Sequence, residues 1–162
     1  MKLADTGLQK QPFRTHGKPL VLVPYASQKN ALRFLEDTRA SRCGLGLFHG
    51  PSLSGKTTII QRFADSLPDD HLVAIVDGAH AGPASLLTKI LGQYGYDRGF
   101  DTAAERFKMI RVVAVQQAAI GRAPVLVVEN VHKMKAVALD VLAELAAMSI
   151  DGNSALRIIF SS

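Results

Sequence analysis

Short, continuously apolar segments are the feature of this sequence that most limits its fold. Residues 72–76 read LVAIV and residues 124–128 read PVLVV, and residues 45–49 and 156–160 are strand candidates of the same length. A strand that is apolar on both faces must be buried on both faces, which is typical of a parallel sheet covered by helices. These segments are too short to cross a membrane, which takes ~18 apolar residues.

Helical segments separate the strand candidates. Apolar residues recur at helical spacing in five stretches, which are residues 27–39, 56–67, 83–93, 102–120 and 135–148. Ser27 is the predicted N-cap of the first helix, while Pro68 and Gly121 end the second and the fourth. Asp151 and Gly152 form a turn before the last strand. The alternation predicts an α/β fold of three layers with a mostly parallel sheet.

The length of 162 residues is typical of one domain. Residues 1–18 lack a sustained period and are predicted to be an extended arm, and residues 19–162 are predicted to form the folded domain. A single cysteine, Cys43, excludes an internal disulfide and a multi-cysteine metal site. The five histidines lack metal-ligand spacing. Residues 1–15 contain no apolar signal core, so nothing in them supports secretion.

The basic excess of the chain lies at its N-terminal end. Residues 1–44 contain eight basic and three acidic residues, whereas the remainder contains eleven of each. Such an excess can bind nucleic acid or an anionic membrane surface. It is also the composition of a solvated flank with one basic helix face, which the lack of a dense basic run favours.

A glycine-rich motif follows the first core strand. Residues 50–57 read GPSLSGKT and match G-x-x-x-x-G-K-[ST] at every fixed position, between a predicted strand and a predicted helix. Gly50 and Gly55 allow backbone angles and a close approach that a side chain would obstruct, so that N–H groups point at a polyphosphate. Lys56 is expected to reach the β- and γ-phosphates of ATP, and the Thr57 hydroxyl to bind Mg²⁺. The other residues expected at the phosphates are Pro51, Ser52, Leu53, Ser54 and Thr58.

The apolar strand at residues 124–128 ends in Glu129 and Asn130. Nucleoside triphosphatases of this architecture place a carboxylate there to hold the water shell of the metal, so Glu129 is expected to hold Mg²⁺ together with Thr57. Asn130 takes the place of the usual catalytic Glu. An amide can orient a water molecule but cannot accept its proton. With Lys56, these two residues are the predicted catalytic set, and ATP hydrolysis is expected to be slow.

Three further polar residues are predicted near the same edge of the sheet. Asp77 ends the strand LVAIVD and could supply the missing carboxylate, or it could be an ordinary loop residue. His49 precedes the glycine-rich motif and His132 follows the acidic strand end. Each histidine either lines the site or is a polar loop residue.

The segment from residue 24 to residue 160 resembles the AAA+ ATPase module of the general secretion pathway ATPases, the ExeA type. The resemblance rests on YASQKNAL at residues 25–32, on GPSLSGKTTIIQRFADSLP, and on KILGQYGY, PVLVVENVHKM and LRIIF. Transposition helper ATPases of the TniB type look similar over the same span, particularly in GKTTIIQRFA. Family members normally carry Asp-Glu where this chain has Glu129 and Asn130.

The resemblance implies a function and a setting. It implies a cytoplasmic Mg²⁺-dependent ATPase, acting as a homo-oligomer or ring, that couples ATP to the assembly of a secretion or cell-envelope machine. Any attachment to the inner face of a membrane would come from a segment outside this sequence. The TniB-type alternative implies a DNA-associated transposition helper or a nucleotide switch. A small-molecule kinase is disfavoured, because no acceptor-site motif or Arg-rich lid is recognisable.

The resemblance also concerns the end of the sequence. AAA+ modules continue into a fifth strand and a helical lid, so the chain is expected to be truncated before the lid. Ser161 and Ser162 lie near the expected place of a polar sensor residue, and an arginine finger is expected beyond Ser162.

Overall fold

The structure is a computed structural model that describes residues 26–51, 53–96 and 99–162. The predicted arm at residues 1–18 and the start of the domain at residue 19 lie outside the described residues, so this division stays a prediction. The helices are α1 (Ala26–Ala40), α2 (Lys56–Asp65), α3 (Pro83–Gln93), α4 (Ala103–Ala119) and α5 (Ala136–Ala146). The strands are β1 (Leu45–Phe48), β2 (Val73–Asp77), β3 (Val125–Glu129), β4 (Ser149–Ile150), β5 (Asn153–Ser154) and β6 (Arg157–Ser161).

Four parallel strands form the main sheet in the order β1, β6, β3, β2. In the centre, Val125 of β3 is level with Arg157 of β6 on one side and with Val73 of β2 on the other. All four strands therefore end at the same edge of the sheet. The predicted α/β fold with a mostly parallel sheet is confirmed.

Strand β3 shows why the apolar segments are continuous. Its residues Leu126 and Val128 pack into one core with helices α3, α4 and α5, whereas Val125 and Val127 pack into a second core with α1 and α2. All four side chains have no exposed surface. Each buried aliphatic side chain of this size stabilises the fold by about 1.5–3 kcal/mol. The three predicted layers are therefore two helical layers with the sheet between them.

Local sequence signals set the helix ends. Helix α4 begins with a capping box, in which the Thr102 hydroxyl accepts a bond from the Glu105 N–H and the Glu105 carboxylate accepts one from the Thr102 N–H. The predicted bounds of α3 match those of the structure. The prediction of Ser27 as an N-cap is wrong, because α1 already includes Ala26. A serine is tolerated inside a helix, because its helix propensity is only modestly below that of alanine.

A small hairpin precedes the last strand. Strands β4 and β5 pair antiparallel around the predicted turn, where Asp151 and Gly152 both have positive φ angles, of 50° and 75°. Two positive φ angles in a two-residue connection are typical of hairpin turns that match the twist of the strands. None of the helices in the described residues combines the length and the apolar character that a membrane span requires.

Candidate functional site

A cavity of about 520 Å³ lies at the edge where the strands end. It is lined by the glycine-rich loop, the end of β3, the turn after β3 and the end of β6. The lining residues are Gly50, Leu53, Ser54, Gly55, Lys56, Thr57, Thr58, Glu129, Asn130, His132, Lys133, Ser161 and Ser162. Of the other residues predicted at the phosphates, Pro51 contributes a carbonyl to the loop, and Ser52 lies outside the described residues.

The two glycines of the loop have different surroundings. Gly55 has a φ of 82°, and no atom lies within 4 Å of the position that a Cβ would occupy. Its left-handed backbone, and not lack of space, therefore favours glycine. A Cβ on Gly50 would lie 3.2 Å from the hydroxyl oxygen of Ser54, so the exposed Ser54 side chain would have to shift to accommodate it. Leu53, at the tip of the loop, is fully exposed and has a φ of 64°.

Positive charge is concentrated at the mouth of this loop. The Lys56 Nζ donates to the carbonyl oxygens of Gly50 and Pro51, at 2.6 and 2.8 Å, which holds the ammonium group over the loop. Helix α2 begins at the same residue. Its first N–H groups have no intrahelical partners, and its dipole adds partial positive charge at this end. The arrangement suits an anion with several oxygen atoms.

A hydroxyl and a carboxylate meet beside the lysine. The Thr57 Oγ1 donates to Glu129 Oε1 at 2.7 Å, so the extra methylene of Glu relative to Asp does not prevent contact with the loop. Hydroxyl and carboxylate oxygens suit Mg²⁺, which takes one or two protein carboxylates and completes its shell with water and phosphate oxygens. No cluster of three or more His, Cys, Asp or Glu side chains that could hold a metal occurs among the described residues. The donor set fits a magnesium bound jointly with a nucleotide.

Asn130 has an unusual backbone and a charged partner. Its φ and ψ angles are 56° and 36°, a left-handed conformation that Asn and Asp tolerate better than most residues. Its Nδ2 donates to Asp77 Oδ1 at 2.9 Å. The bonds from the Asn130 amide and from the Ala79 N–H hold the pKa of Asp77 below its ordinary value, so this carboxyl is ionised at neutral pH. Asp77 does not line the cavity itself, but it is hydrogen-bonded to Asn130, which does.

The remaining predicted residues divide between the cavity and its rim. His132 lines the cavity, whereas His49 does not and instead places Nδ1 2.8 Å from the Ser162 hydroxyl. Ser161 and Ser162 line the cavity at the end of β6. Sequence reasoning missed Lys133, which brings a second lysine to the lining. Lys133 lies four residues after Glu129, in the 3₁₀ turn at Val131–Lys133, and no residue pattern in the sequence marks it as part of the site.

A parallel sheet with a glycine-rich loop after its first strand and a carboxylate at the end of a central strand defines a P-loop nucleotide-binding fold. The chain belongs to the AAA domain family, which matches residues 38–161, and it is an AAA+ P-loop ATPase module. The predicted AAA+ class is therefore confirmed. The finer resemblances, to ExeA-type secretion ATPases and to TniB-type helpers, stay predictions.

A solved structure agrees with this assignment at the level of the fold. The chain is similar to the ORC2 protein of Aeropyrum pernix, with a TM-score of 0.57 and 16% sequence identity. The match covers 92% of this chain and 43% of that chain, so this chain spans less than half of the ORC2 protein. No curated protein sequence matches the chain.

Proposed function

We propose that this module binds ATP with Mg²⁺ in the 520 Å³ cavity and hydrolyses it slowly. The observation that carries the proposal is the meeting of three groups at one edge of the sheet: the Lys56 ammonium, the Thr57 hydroxyl and the Glu129 carboxylate. The similar ORC2 protein was solved in complexes with ADPNP and ADP, which supports a nucleotide as the ligand of this fold.

Binding follows from the charges and donors of the loop. The N–H groups of the loop and of the first turn of α2 would surround the phosphates, and Lys56 would exchange its bonds to loop carbonyls for bonds to the β- and γ-phosphate oxygens. Thr57 and Glu129 would hold Mg²⁺. When bound, the metal would neutralise charge on the phosphate oxygens.

Hydrolysis requires a water molecule placed in line with the bond that breaks. The water oxygen attacks the γ-phosphorus, and the bond to the oxygen that bridges the β- and γ-phosphates breaks. A proton of the water passes to a phosphate oxygen, and ADP and inorganic phosphate leave. Asn130 lines the cavity and is the residue we assign to orienting this water. Because its amide cannot accept a proton, turnover is expected to be slow, and the ATP-bound state would be long-lived. This favours use as a nucleotide switch.

The machine that such a switch would serve is proposed from the sequence resemblance. The ExeA-type resemblance favours assembly of a secretion or cell-envelope machine, with the module acting in a homo-oligomer or ring. The alternative is a DNA-associated helper of the TniB type. It is favoured by Lys29 and Arg33, which are exposed one turn apart on α1. DNA binding that strengthens with ATP and weakens with salt would favour the helper, and no DNA binding at low salt would favour the secretion role.

Phosphate release tests the proposed activity directly. Wild-type protein, Lys56→Ala and a control variant, Lys108→Ala on the exposed side of α4, are compared with excess ATP and Mg²⁺. Slow release by wild type and by the control, together with none by Lys56→Ala, is expected. Release that survives in Lys56→Ala would show that the activity does not come from this cavity.

A further inference from the structure

The side chain behind Asn130 has no role in the proposed function so far. Asp77 is level with Glu129 in the pairing of β2 and β3, so it ends its strand beside the acidic end of β3. It is exposed to solvent but does not line the nucleotide cavity. Asp77 contacts the cavity lining through Asn130, whose Nδ2 donates a 2.9 Å hydrogen bond to its carboxylate.

This bond determines which end of the Asn130 amide is available. An ionised carboxylate only accepts hydrogen bonds, so the amide nitrogen must be the end that faces Asp77. The amide oxygen, Oδ1, is then the end left for other partners. An oxygen can accept a hydrogen bond from an attacking water and so fix the direction of its lone pairs, whereas an NH₂ group would present only donors.

The carboxylate is itself held in place. The N–H of Ala79 donates to the same oxygen, Asp77 Oδ1, at 3.0 Å. The Lys89 Nζ donates to the main-chain oxygen of Asp77 at 2.9 Å. The turn at Ala79 therefore holds the carboxylate that bonds Asn130, and Lys89 holds the backbone of the same residue.

We propose that Asp77 is a positioning residue for ATP hydrolysis: its carboxylate holds the Asn130 amide so that Oδ1 is presented to the attacking water. This inference rests on the proposed ATPase function. We expect Asp77 to affect the rate of hydrolysis and not the affinity for ATP, because Asp77 does not line the cavity.

Two substitutions of Asp77 separate this role from its role in the turn. In Asp77→Ser, the hydroxyl can still accept a bond from the Ala79 N–H but is too short to hold the Asn130 amide. In Asp77→Asn, one oxygen can still accept both bonds. We expect Asp77→Ser to lower the turnover number about tenfold or more with an unchanged Kd for ATP, since small misplacements of a reacting group are this costly. Asp77→Asn should retain most of the turnover.

An exchange of the two side chains gives a gain-of-function test. Asn130→Asp alone would place two carboxylates about as close as the present 2.9 Å pair, where they repel or share a proton. In the double variant Asp77→Asn, Asn130→Asp, the amide at position 77 can donate to the carboxylate at position 130. The second carboxylate oxygen is then free to act on the water. We expect the double variant to have a higher turnover number than wild type. Asn130→Asp alone should have a lower turnover number than the double variant.

The experiment measures ATP affinity by calorimetry and turnover by phosphate release for wild type, these variants and Asp69→Asn. Asp69 is an exposed aspartate shortly before β2, at the other end of the strand from Asp77, so it controls for loss of a surface charge. The proposal is overturned by wild-type turnover in Asp77→Ser or by no gain in the double variant, in a protein whose wild type binds and hydrolyses ATP. Lack of ATP binding or of any turnover by wild type would instead overturn the proposed function.

Discussion

The Thr57 hydroxyl donates a 2.7 Å hydrogen bond to Glu129 Oε1, across 72 positions of the sequence. The bond joins the first turn of α2 to the end of β3, so the two oxygens best suited to Mg²⁺ are adjacent at the phosphate-binding loop. The relationship links the loop and the acidic strand into one site.

Loss of the Thr57 hydroxyl should weaken binding of ATP only when Mg²⁺ is present. We expect Thr57→Ala to raise the Kd for MgATP about tenfold, a loss of ~1.4 kcal/mol, and to leave the Kd for metal-free ATP unchanged. Titration calorimetry with and without Mg²⁺ measures both values. Thr88→Ala is the matched control, because its exposed hydroxyl bonds only within α3 in the described contacts. An equal loss with and without metal would contradict a magnesium role for Thr57.

The left-handed backbone of Asn130 predicts a stability difference between two truncations. At a φ of 56°, Asn130→Ala should lower the free energy of unfolding by about 1 kcal/mol, because alanine keeps the Cβ that is strained in this conformation and loses the short polar side chain with which Asn tolerates it. Asn130→Gly removes the same amide without that strain and should be more stable than Asn130→Ala. Urea denaturation compares the two variants. Equal stabilities would mean that the backbone at position 130 is not constrained by the fold.

The capping box of α4 should contribute measurably to stability. We expect Thr102→Ala to lower the free energy of unfolding by about 1 kcal/mol, because the N–H of Glu105 loses its side-chain acceptor. Thr88→Ala serves again as the control, since it removes a hydroxyl from the interior of a helix and not from its cap. If Thr88→Ala lowered the free energy of unfolding as much as Thr102→Ala, the cap would not be the cause of the loss.

Glu105 gives the box a pH dependence. The backbone N–H groups of Thr102 and Asp101 lower the pKa of Glu105 below its ordinary value. The stability it contributes is therefore complete above its unfolded-state pKa of about 4.3 and is lost as the pH falls through its folded-state pKa. Urea denaturation of wild type and Glu105→Gln at neutral and acid pH should give a stability difference that shrinks in acid. A difference that is constant with pH would contradict the assignment.

Much of the fold could be predicted because burial determines it residue by residue. Strand β3 is apolar throughout since both of its faces are buried, and α3 begins at Pro83, a residue suited to the first turn of a helix. The order of the strands was not predictable in the same way. It depends on β6 entering between β1 and β3, and no local pattern in the sequence records that pairing.

The candidate site shows the same division. The motif at residues 50–57 and the strand end at Glu129 could be recognised from the sequence, because phosphate binding restricts residue types at fixed spacing. The bond between Asp77 and Asn130 could not be derived, since it follows from the alignment of β2 with β3 and from the left-handed turn at Asn130. Lys133 reaches the cavity through the short turn after β3, whose direction no residue pattern specifies.

The most direct test of the central claim is a calorimetric titration of wild type, Lys56→Ala and Lys108→Ala with ATP in the presence of Mg²⁺. We expect saturable binding by wild type and by the Lys108→Ala control, and no binding by Lys56→Ala, because Lys56 supplies the ammonium group over the phosphate loop. An ATP affinity in Lys56→Ala equal to that of wild type would contradict the account.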